Sequence, residues 1–195
     1  AYRTPRTPDG KPNLNGFWQT LNNANYDIEA HSAMGAPAAL AQQIGTLGAI
    51  PPGVGIVEGG ELPYKPEALA KKKENLEKRF TEDPEAKCYL PGVPRFVYMP
   101  YPFQILQSTD FIMMVSEYKQ ALRTIYMTNQ KPAPADSWMG WSNGHWEGET
   151  LVVDTTGFND RSWFDRVGNY HSESLKVVER FTATGPDHMR YEATV

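Results

Sequence analysis

Six short segments in the second half of the chain constrain its fold most strongly. Each is rich in β-branched and aromatic residues or alternates apolar with polar residues, and short turns separate them. In chain order they read PFQILQST, FIMMVSEY, ALRTIYMT, HWEGETLVVDTT, SLKVVERFT and HMRYEATV. Successive strands joined by short turns pair antiparallel, and a meander of this kind curls into a barrel or half-barrel.

The part of the chain before this meander is irregular. Sixteen Gly and sixteen Pro among 195 residues favour turns over long helices, and a chain of this length forms one well-buried core. We therefore predict a single mainly β domain over residues 1–195. It comprises an extended arm and a Gly/Pro/Ala-rich wrap at 1–63, a helix at 64–82 and the antiparallel β meander at 96–195.

Two short helices are predicted in the first half. One is centred on Leu40, Ile44 and Leu47, which share a helical face. The other is the segment KPEALAKKKENLEKRF, which combines an apolar stripe with a run of three lysines. The lysine run is predicted to be a solvated helix face rather than a docking patch. The stripe consists of Leu69, Leu76 and Phe80.

The segment CYLPGVPRFVYMPYP follows this helix, and its prolines predict an extended run. Cys88 opens the segment and is the only cysteine, so the chain has no internal disulfide. No base is close to Cys88 in the sequence. We therefore predict a small buried apolar role for it rather than a nucleophile.

The parity of the strands places two charged side chains inside the sheet. If Lys119 and Gln120 form a two-residue turn, Arg123 lies opposite Ser116 on a face that is otherwise apolar. Glu179 lies on the apolar face of its own strand, and a buried carboxylate must be paired or protonated. Arg123 is the candidate partner. The pair can be an ion pair that fixes strand register or the anchor of a ligand cavity.

The stretch SWMGWSNGHWEGETLVVDTTGF contains three of the five tryptophans together with His145 and Glu147. A turn at Glu147 and Gly148 separates the two polar residues, which predicts a tryptophan-anchored hairpin rather than a catalytic pair. The long loop at 157–174 offers Asp160 and His171 for acid–base chemistry, with Glu179 as a third candidate. The same residue types also cap turns, and this structural reading is favoured.

Charge and motifs exclude several classes of function. A net charge of −4 argues against binding of a nucleic-acid backbone, and no apolar run is long enough to span a bilayer. The sequence has no phosphate-binding loop, no nucleophile elbow and no haem or zinc motif. No two of the four histidines have close ligand spacing, so neither a metal site nor a cofactor is predicted.

Long stretches of the chain, from TPDGKPNLNGFW to GHWEGETLVVDTTGF, resemble a widespread family of exported Gram-negative bacterial proteins. The shared motifs run TPDGKPxLxGxW and GxWEGxTLVVxTxxF. The resemblance covers nearly the whole chain and implies a signal peptide on the precursor and a periplasmic or secreted location. The family carries no assigned activity, so the resemblance implies a cellular location but no catalysed reaction.

The two ends and one internal segment bear on this resemblance. The opening AYRTPRTPDGKPN is typical of a mature chain after removal of a signal peptide. The segment QKPAPAD stands where members carry a Pro-His pair. Members continue past RYEATV with a Pro-Trp-containing segment, so a missing C-terminal segment and a lost final strand are both open here.

The short sequence NGFW is also similar to the Gly-x-Trp near the first strand of lipocalins, which favours a lipocalin-like barrel. Three functions follow. The first is binding of a small, partly apolar or aromatic ligand by Arg123, Tyr118, Trp138, Trp141, Trp163 and Glu179. The second is an accessory or structural subunit of a larger extracytoplasmic or membrane-associated complex, contacting a protein partner through residues 1–63. The third is an isomerase, hydratase or hydrolase that uses Asp160, His171 and Glu179.

Overall fold

The computed structural model of the chain describes residues 2–38, 41–42, 48–128 and 130–195. Its main element is an eight-stranded sheet whose strands follow one another in chain order and curl into a half-barrel. This confirms the mainly β half-barrel predicted from the sequence. The strands are β1 (Gly16–Trp18), β2 (Phe103–Gln107), β3 (Phe111–Ser116), β4 (Leu122–Tyr126), β5 (Trp141–Glu147), β6 (Thr150–Thr156), β7 (Val177–Ala183) and β8 (Met189–Thr194).

Neighbouring strands are antiparallel with one exception. Strands β4 and β5 run parallel and share only two residue pairs, Ile125 with Ser142 and Tyr126 with Asn143. The connection between them passes along the sheet without forming a hairpin, because parallel neighbours require a crossover. The prediction of an antiparallel meander therefore holds on either side of this junction and fails at it.

Short helices accompany the sheet in the described part of the chain, among them α1 (Pro66–Glu77), α2 (Arg79–Glu82) and α3 (Arg95–Tyr98). Pro66 is the first residue of α1. An N–H at this position makes no hydrogen bond within the helix, so proline is accommodated there. Helix α3 corrects the expectation of an extended run across CYLPGVPRFVYMPYP. The helix predicted around Leu40, Ile44 and Leu47 lies outside the described residues.

The apolar stripe along α1 and α2 is partly exposed, and α1 packs against the protein through another residue. Leu69, Leu76 and Phe80 are 40%, 39% and 52% exposed, whereas Asn75 is buried and donates to the carbonyl of Gly168 at 3.2 Å. Gly168 has φ +90° and permits this approach, since a Cβ there would lie 2.6 Å from the Asn75 Cβ. The helix therefore packs through a polar residue against a glycine.

Cys88 is exposed and has φ 58°, which corrects the prediction that it is buried. It lies in the turn that links α2 to the segment before α3, where its amide donates to the Glu85 carbonyl at 3.0 Å. The prolines on either side of this turn keep it at the surface.

The concave face of the half-barrel is filled from within the chain. All four residues of α3 are buried, and Phe96 and Val97 pack against apolar side chains of the strands. Leu14 and Phe158 close the same core from the arm and from the loop after β6. Because these groups are nearly inaccessible to solvent, the interior of the half-barrel is a packed core.

The turn between β3 and β4 decides the register on which Arg123 depends. Lys119 and Gln120 form the predicted turn, with φ 54° and 50°, and the Ala121 amide donates to Tyr118 at 3.0 Å. The loop also contains Glu117 and Tyr118, which precede the turn. Arg123 therefore pairs with Met114, whereas the sequence predicted that it would pair with Ser116. A shift by two positions leaves every side chain on its predicted face.

The hairpin of β5 and β6 shows the same kind of shift. Its turn is formed by Gly148 and Glu149, because Glu147 pairs with Thr150, which corrects the predicted turn at Glu147 and Gly148. Trp146 still shares the inner face with Leu151, as the parity of the two strands required. The pattern of alternation therefore fixes the faces more reliably than the turn residues fix the register.

Candidate functional site

Arg123 and Glu179 form an ion pair at the centre of the half-barrel. Arg123 Nη1 donates to Glu179 Oε1 at 3.1 Å, and Nη2 donates to Oε2. The two side chains are 1% and 0% exposed. The predicted pairing is therefore present, and it lies beneath the packed core and not in an open cavity.

The remaining polar atoms of the pair are also satisfied by the protein. Arg123 Nε donates to Ser142 at 3.1 Å and Nη2 donates to Thr155 at 2.9 Å, while the Tyr191 hydroxyl donates to Glu179 at 2.8 Å. Burial, with the Glu179 carboxylate beside it, raises the pKa of Tyr191 well above its usual value. Five strands, β4 to β8, thus meet at one fully hydrogen-bonded pair, an arrangement that fixes register.

His171 lies in a different environment, between Phe158 and Phe164. Its Nε2 is 2.8 Å from Ser162 Oγ, and its Nδ1 is 2.9 Å from the Ser172 carbonyl oxygen. The carbonyl can only accept, so Nδ1 carries the proton and Nε2 accepts from Ser162. Burial lowers the pKa of His171 and favours this neutral form.

The three candidate acid–base residues are not brought together. Both ring nitrogens of His171 are occupied by Ser162 and Ser172, and the Glu179 carboxylate is held in the core. Asp160 lies on a surface groove. Ser162 is only 2% exposed and packs against Gly92, where a Cβ would lie 2.2 Å from its Oγ. The hydrogen bond between Ser162 and His171 therefore connects two segments of the loop after β6.

Asp165 is the polar centre of the loop after β6. Its carboxylate accepts from the amides of Ile28, Val167 and Asn169, at 3.0, 3.1 and 3.0 Å, and from the Asn169 side chain at 2.6 Å. Burial raises the pKa of Asp165 to about 6, against the opposing effect of these hydrogen bonds. The loop residues therefore organise turns, which is the reading that the sequence favoured.

His145 and Glu147 lie side by side on the outer face of β5, because residues two apart on a strand share a face. His145 Nε2 is 3.3 Å from Glu147 Oε1, and Arg180 donates to Oε2 at 2.6 Å. The expectation that a turn separates the two residues is therefore wrong. Both side chains are about half exposed, so the contact is a polar contact at the surface that contributes little to stability.

The aromatic residues predicted to bind a ligand are distributed over three places. Trp138 and Trp163 line a surface groove together with Asp160. Trp141 stacks on Tyr126, with ring centroids 4.4 Å apart. Tyr118 lines a second depression, described below. None of these residues contacts the Arg123–Glu179 pair as part of one cavity.

A second buried charge cluster lies at the start of α3, and the sequence analysis missed it. Arg95 is 1% exposed and donates to Asp83 at 2.9 and 3.2 Å, to Glu85 at 2.7 Å and to Asn25 at 2.8 Å. Arg166 donates to the other side of Glu85 at 2.7 and 2.5 Å. An arginine inside the apolar run PGVPRFVYMP was the signal that a carboxylate partner must exist.

The charges in this cluster stabilise one another. Burial opposes ionisation of Glu85, but Arg166 and Arg95 outweigh it and hold the pKa of Glu85 below its usual value. Burial likewise opposes the charge of Arg95, yet Asp83 and Glu85 raise the pKa of Arg95 overall. Glu85 and Arg95 are therefore both charged at neutral pH, and their hydrogen bonds hold them in fixed positions.

A pocket of about 660 Å³ opens directly above this cluster. We call it the aromatic pocket because Tyr26, Phe80, Tyr101 and Tyr118 form its walls. Tyr101 and Tyr118 lie with ring centroids 5.3 Å apart. Burial raises the pKa of Tyr118 to about 12, and its hydroxyl donates to the Tyr89 carbonyl at 3.1 Å. The floor of the pocket is formed by Asn25, Asp83, Glu85 and Arg166.

The arm and the wrap contact the chain's own loops. The Arg166 amide donates to the Asn25 carbonyl at 3.0 Å, and Thr20 Oγ1 donates to the Val97 carbonyl at 2.7 Å. Lys72 pairs with Glu29 at 2.6 Å across the gap between α1 and the wrap. Residues of the arm and wrap therefore form one wall of the aromatic pocket.

Within residues 2–38, 41–42, 48–128 and 130–195, no group of three or more His, Cys, Asp or Glu side chains is arranged to hold a metal ion. No helix in this part of the chain is long and apolar enough to cross a bilayer. Comparison of the chain with protein-family models, with curated proteins and with solved structures gives no match.

Proposed function

We propose that the protein binds a small, partly aromatic molecule in the aromatic pocket. One observation carries this proposal: four aromatic side chains surround a pocket whose polar floor already has its hydrogen bonds made. A volume of about 660 Å³ lies within the range of small-molecule sites, which are mostly apolar with a few fixed polar groups.

The saturated floor favours a ligand held mainly by its rings. The Asp83 and Glu85 carboxylates are occupied by Arg95 and Arg166, so a ligand need not neutralise them. Tyr101 is partly exposed, and its hydroxyl has no hydrogen-bond partner among the described residues. A ligand that stacks on the walls and exchanges one hydrogen bond with Tyr101 fits this surface.

We also propose an extracytoplasmic location for this binding, on the resemblance of the sequence to exported bacterial proteins. The half-barrel is compatible with such a role, since binding sites at its rim leave the packed core intact. Fractionation of the native organism with an antibody against the protein tests this part; recovery with cytoplasmic markers would refute it.

Titration with N-phenyl-1-naphthylamine tests ligand binding. This neutral probe becomes fluorescent in apolar surroundings and carries no charge that would attract it to surface lysines. We expect Phe80→Ala and Tyr101→Ala each to raise its Kd about three- to tenfold, because each removes an aromatic contact worth about 0.5–1.5 kcal/mol. Phe80 belongs to α2 and Tyr101 follows α3, so the two variants test separate walls of the pocket, and both effects are required.

Val178→Ala is the matched control, since Val178 is 36% exposed on the convex side of β7 and does not line the pocket. Its Kd should equal that of the unmodified protein. If Val178→Ala weakens the probe as much as the two pocket variants do, the probe binds exposed apolar surface and the proposal fails.

A second candidate function, assembly with another chain, is favoured by the convex face of β1 to β4. We call it the outer face. The strand register puts Phe17, Leu106, Phe111 and Leu122 on this face, where they are 77%, 43%, 42% and 51% exposed. An antiparallel sheet with one solvated face normally alternates apolar inside with polar outside, and this half of the sheet does not.

The other half of the same sheet shows the usual pattern. Its convex side carries His145, Asp154, Arg180 and Glu192, whereas no charged residue lies in the outer face of β2 to β4. Exposed apolar patches of this kind mark interaction surfaces. Because an uncharged apolar surface is complementary to itself and requires no opposite charge, we propose a second copy of this chain as the occupant.

Substitution of Leu122 with lysine tests this assembly. We expect the unmodified chain to reach twice its monomer mass in light scattering as concentration rises. Leu122→Lys should raise the dimer dissociation constant by at least about tenfold, since a lysine would be desolvated in the interface. Leu76→Lys on α1 is the control and should leave the mass unchanged. A monomer at all concentrations would exclude the second copy.

A further inference from the structure

A wide groove of about 1150 Å³ lies on the other side of α1 from the wrap. We call it the basic groove. One wall is the face of α1 that carries Lys71, Glu74 and Lys78, and the opposite wall is the loop after β6 with Asp160 and Arg161. It is distinct from the aromatic pocket, and among their described lining residues the two share only Cys88.

Cations outnumber carboxylates in the basic groove, although the chain as a whole carries a net charge of −4. The cations are Lys71, Lys78, Lys87, Lys119 and Arg161, and the carboxylates are Glu74, Glu82 and Asp160. The groove is therefore a positive region on an acidic protein. Such an arrangement attracts anions to one place and lowers their affinity for the rest of the surface.

Three of these cations already have partners. Lys71 and Lys78 share Glu74, at 3.1 and 2.9 Å, and Lys87 pairs with Glu82 at 2.6 Å. Lys119 and Arg161 have no ion-pair partner within the described part of the chain. They are the two cationic groups in the groove that are available to an anion.

The backbone conformation of Lys119 is energetically unfavourable for a residue with a side chain. Lys119 and Gln120 occupy the two central positions of a tight hairpin turn with left-handed φ, where Asn and Gly are usual. A side chain in this conformation costs roughly 1–2 kcal/mol relative to the right-handed region. Strain that is retained at the rim of a cavity points to a role for the side chain that causes it.

Aromatic rings lie beside these cations. Trp138 and Tyr89 line the groove and pack edge to face, with ring centroids 5.3 Å apart, and Trp163 lines it as well. An aromatic platform next to unpaired cations binds a flat ring through its face and an attached anionic group through its charge. Trp138 and Trp163 are two of the residues that the sequence indicated for ligand binding.

We propose that the basic groove is a second binding site, which takes an organic anion that carries an aromatic ring. Its anionic group pairs with Lys119 and Arg161, and its ring packs against Trp138 and Tyr89. The site does not depend on the aromatic pocket, because the two share neither a cation nor an aromatic ring among their described lining residues.

Calorimetric titration with phenyl phosphate tests this site. Inorganic phosphate, which has the anionic group alone, and phenol, which has the aromatic ring alone, are the comparison ligands. We expect phenyl phosphate to bind at least about tenfold more tightly than either, and its binding to weaken as salt rises. Emission from Trp138 and Trp163 should change on binding. Equal affinity for inorganic and phenyl phosphate would refute the role of the ring.

Lys119→Gly is the informative variant, because glycine adopts the left-handed turn without strain. It should keep or raise the unfolding midpoint while weakening phenyl phosphate about tenfold, and Arg161→Gln should weaken it similarly. Lys73→Gln, on a solvated part of α1, is the charge control and should have no effect. Phe80→Ala should also leave this titration unchanged, which separates the site from the aromatic pocket. Undiminished binding by both groove variants would overturn the proposal.

Discussion

Glu179→Gln is expected to cost about 3–5 kcal/mol of unfolding free energy, because it leaves the Arg123 guanidinium buried without a counter-charge. The pair is at most 1% exposed, so water cannot replace the lost carboxylate. The new amide also places N–H groups against one of the two Arg123 nitrogens. Urea unfolding followed by tryptophan fluorescence measures the loss, and the slope of the transition should stay unchanged.

The double variant Arg123→Met/Glu179→Leu distinguishes the cost of leaving one charge buried without a partner from the contribution of the ion pair to stability. Replacing both partners by apolar residues of similar volume is often nearly neutral, whereas removing one partner is not. We expect the double variant to be more stable than the sum of its single variants by at least about 2 kcal/mol. Additive losses would show that the two side chains do not act as a pair.

The Arg123–Glu179 pair could be predicted from the sequence because its cause is local. Side chains alternate along a strand with a period of two. Glu179 was therefore assigned to the apolar face of its own strand, and Arg123 was assigned to an apolar face on the assumption of a two-residue turn at Lys119 and Gln120. When the β3–β4 register differed from the expected one by two positions, both residues kept their face. The partner followed, since a buried charge requires one.

The position of α1 could not be predicted in the same way. Its periodicity showed that Leu69, Leu76 and Phe80 share a side, but periodicity does not say which side another part of the chain will cover. The packed side of α1 is determined by Gly168, because the absence of a side chain there allows Asn75 and the helix backbone to approach closely. A contact between residues more than ninety positions apart leaves no local pattern in either segment.

The aromatic pocket shows the same limit. Arg95 binds Asp83, Glu85 and Asn25, and Asn25 lies 70 residues away in an irregular segment without periodicity. The apolar run around Arg95 could have indicated a buried charge, although the sequence analysis did not use it, and nothing in the run indicates where the partners lie. Sites built from loops are therefore harder to derive from sequence than pairs built on strands.

The two ion networks have different structural roles. Arg123 on β4 and Glu179 on β7 connect two strands of one sheet across β5 and β6, so they stabilise a strand arrangement that the alternation of side chains already favours. Arg95 instead connects the segment around Asn25, the segment after α2, and α3, and none of these three segments belongs to a strand of the sheet. Its loss should consequently loosen the walls of the aromatic pocket before it affects the half-barrel.

Arg95→Met is expected to cost about 3–5 kcal/mol, because Asp83 then remains buried with no cationic partner. Glu85 keeps Arg166, so the uncompensated charge is that of Asp83, which is 3% exposed. The affinity for N-phenyl-1-naphthylamine should fall more steeply than for Phe80→Ala, since the floor that positions all the walls is lost. Urea unfolding and probe titration on the same preparations measure both effects.

Arg95→Lys distinguishes charge from geometry. Lysine restores a positive charge but not the planar fork that reaches Asp83, Glu85 and Asn25 together, so about half of the loss should remain. Arg190→Met removes an exposed arginine that pairs with Glu192 on β8 and should cost no more than about 1 kcal/mol. If Arg95→Met were as mild as Arg190→Met, the Arg95 cluster would not organise the pocket, and the site would have to be held by the packing of its aromatic walls alone.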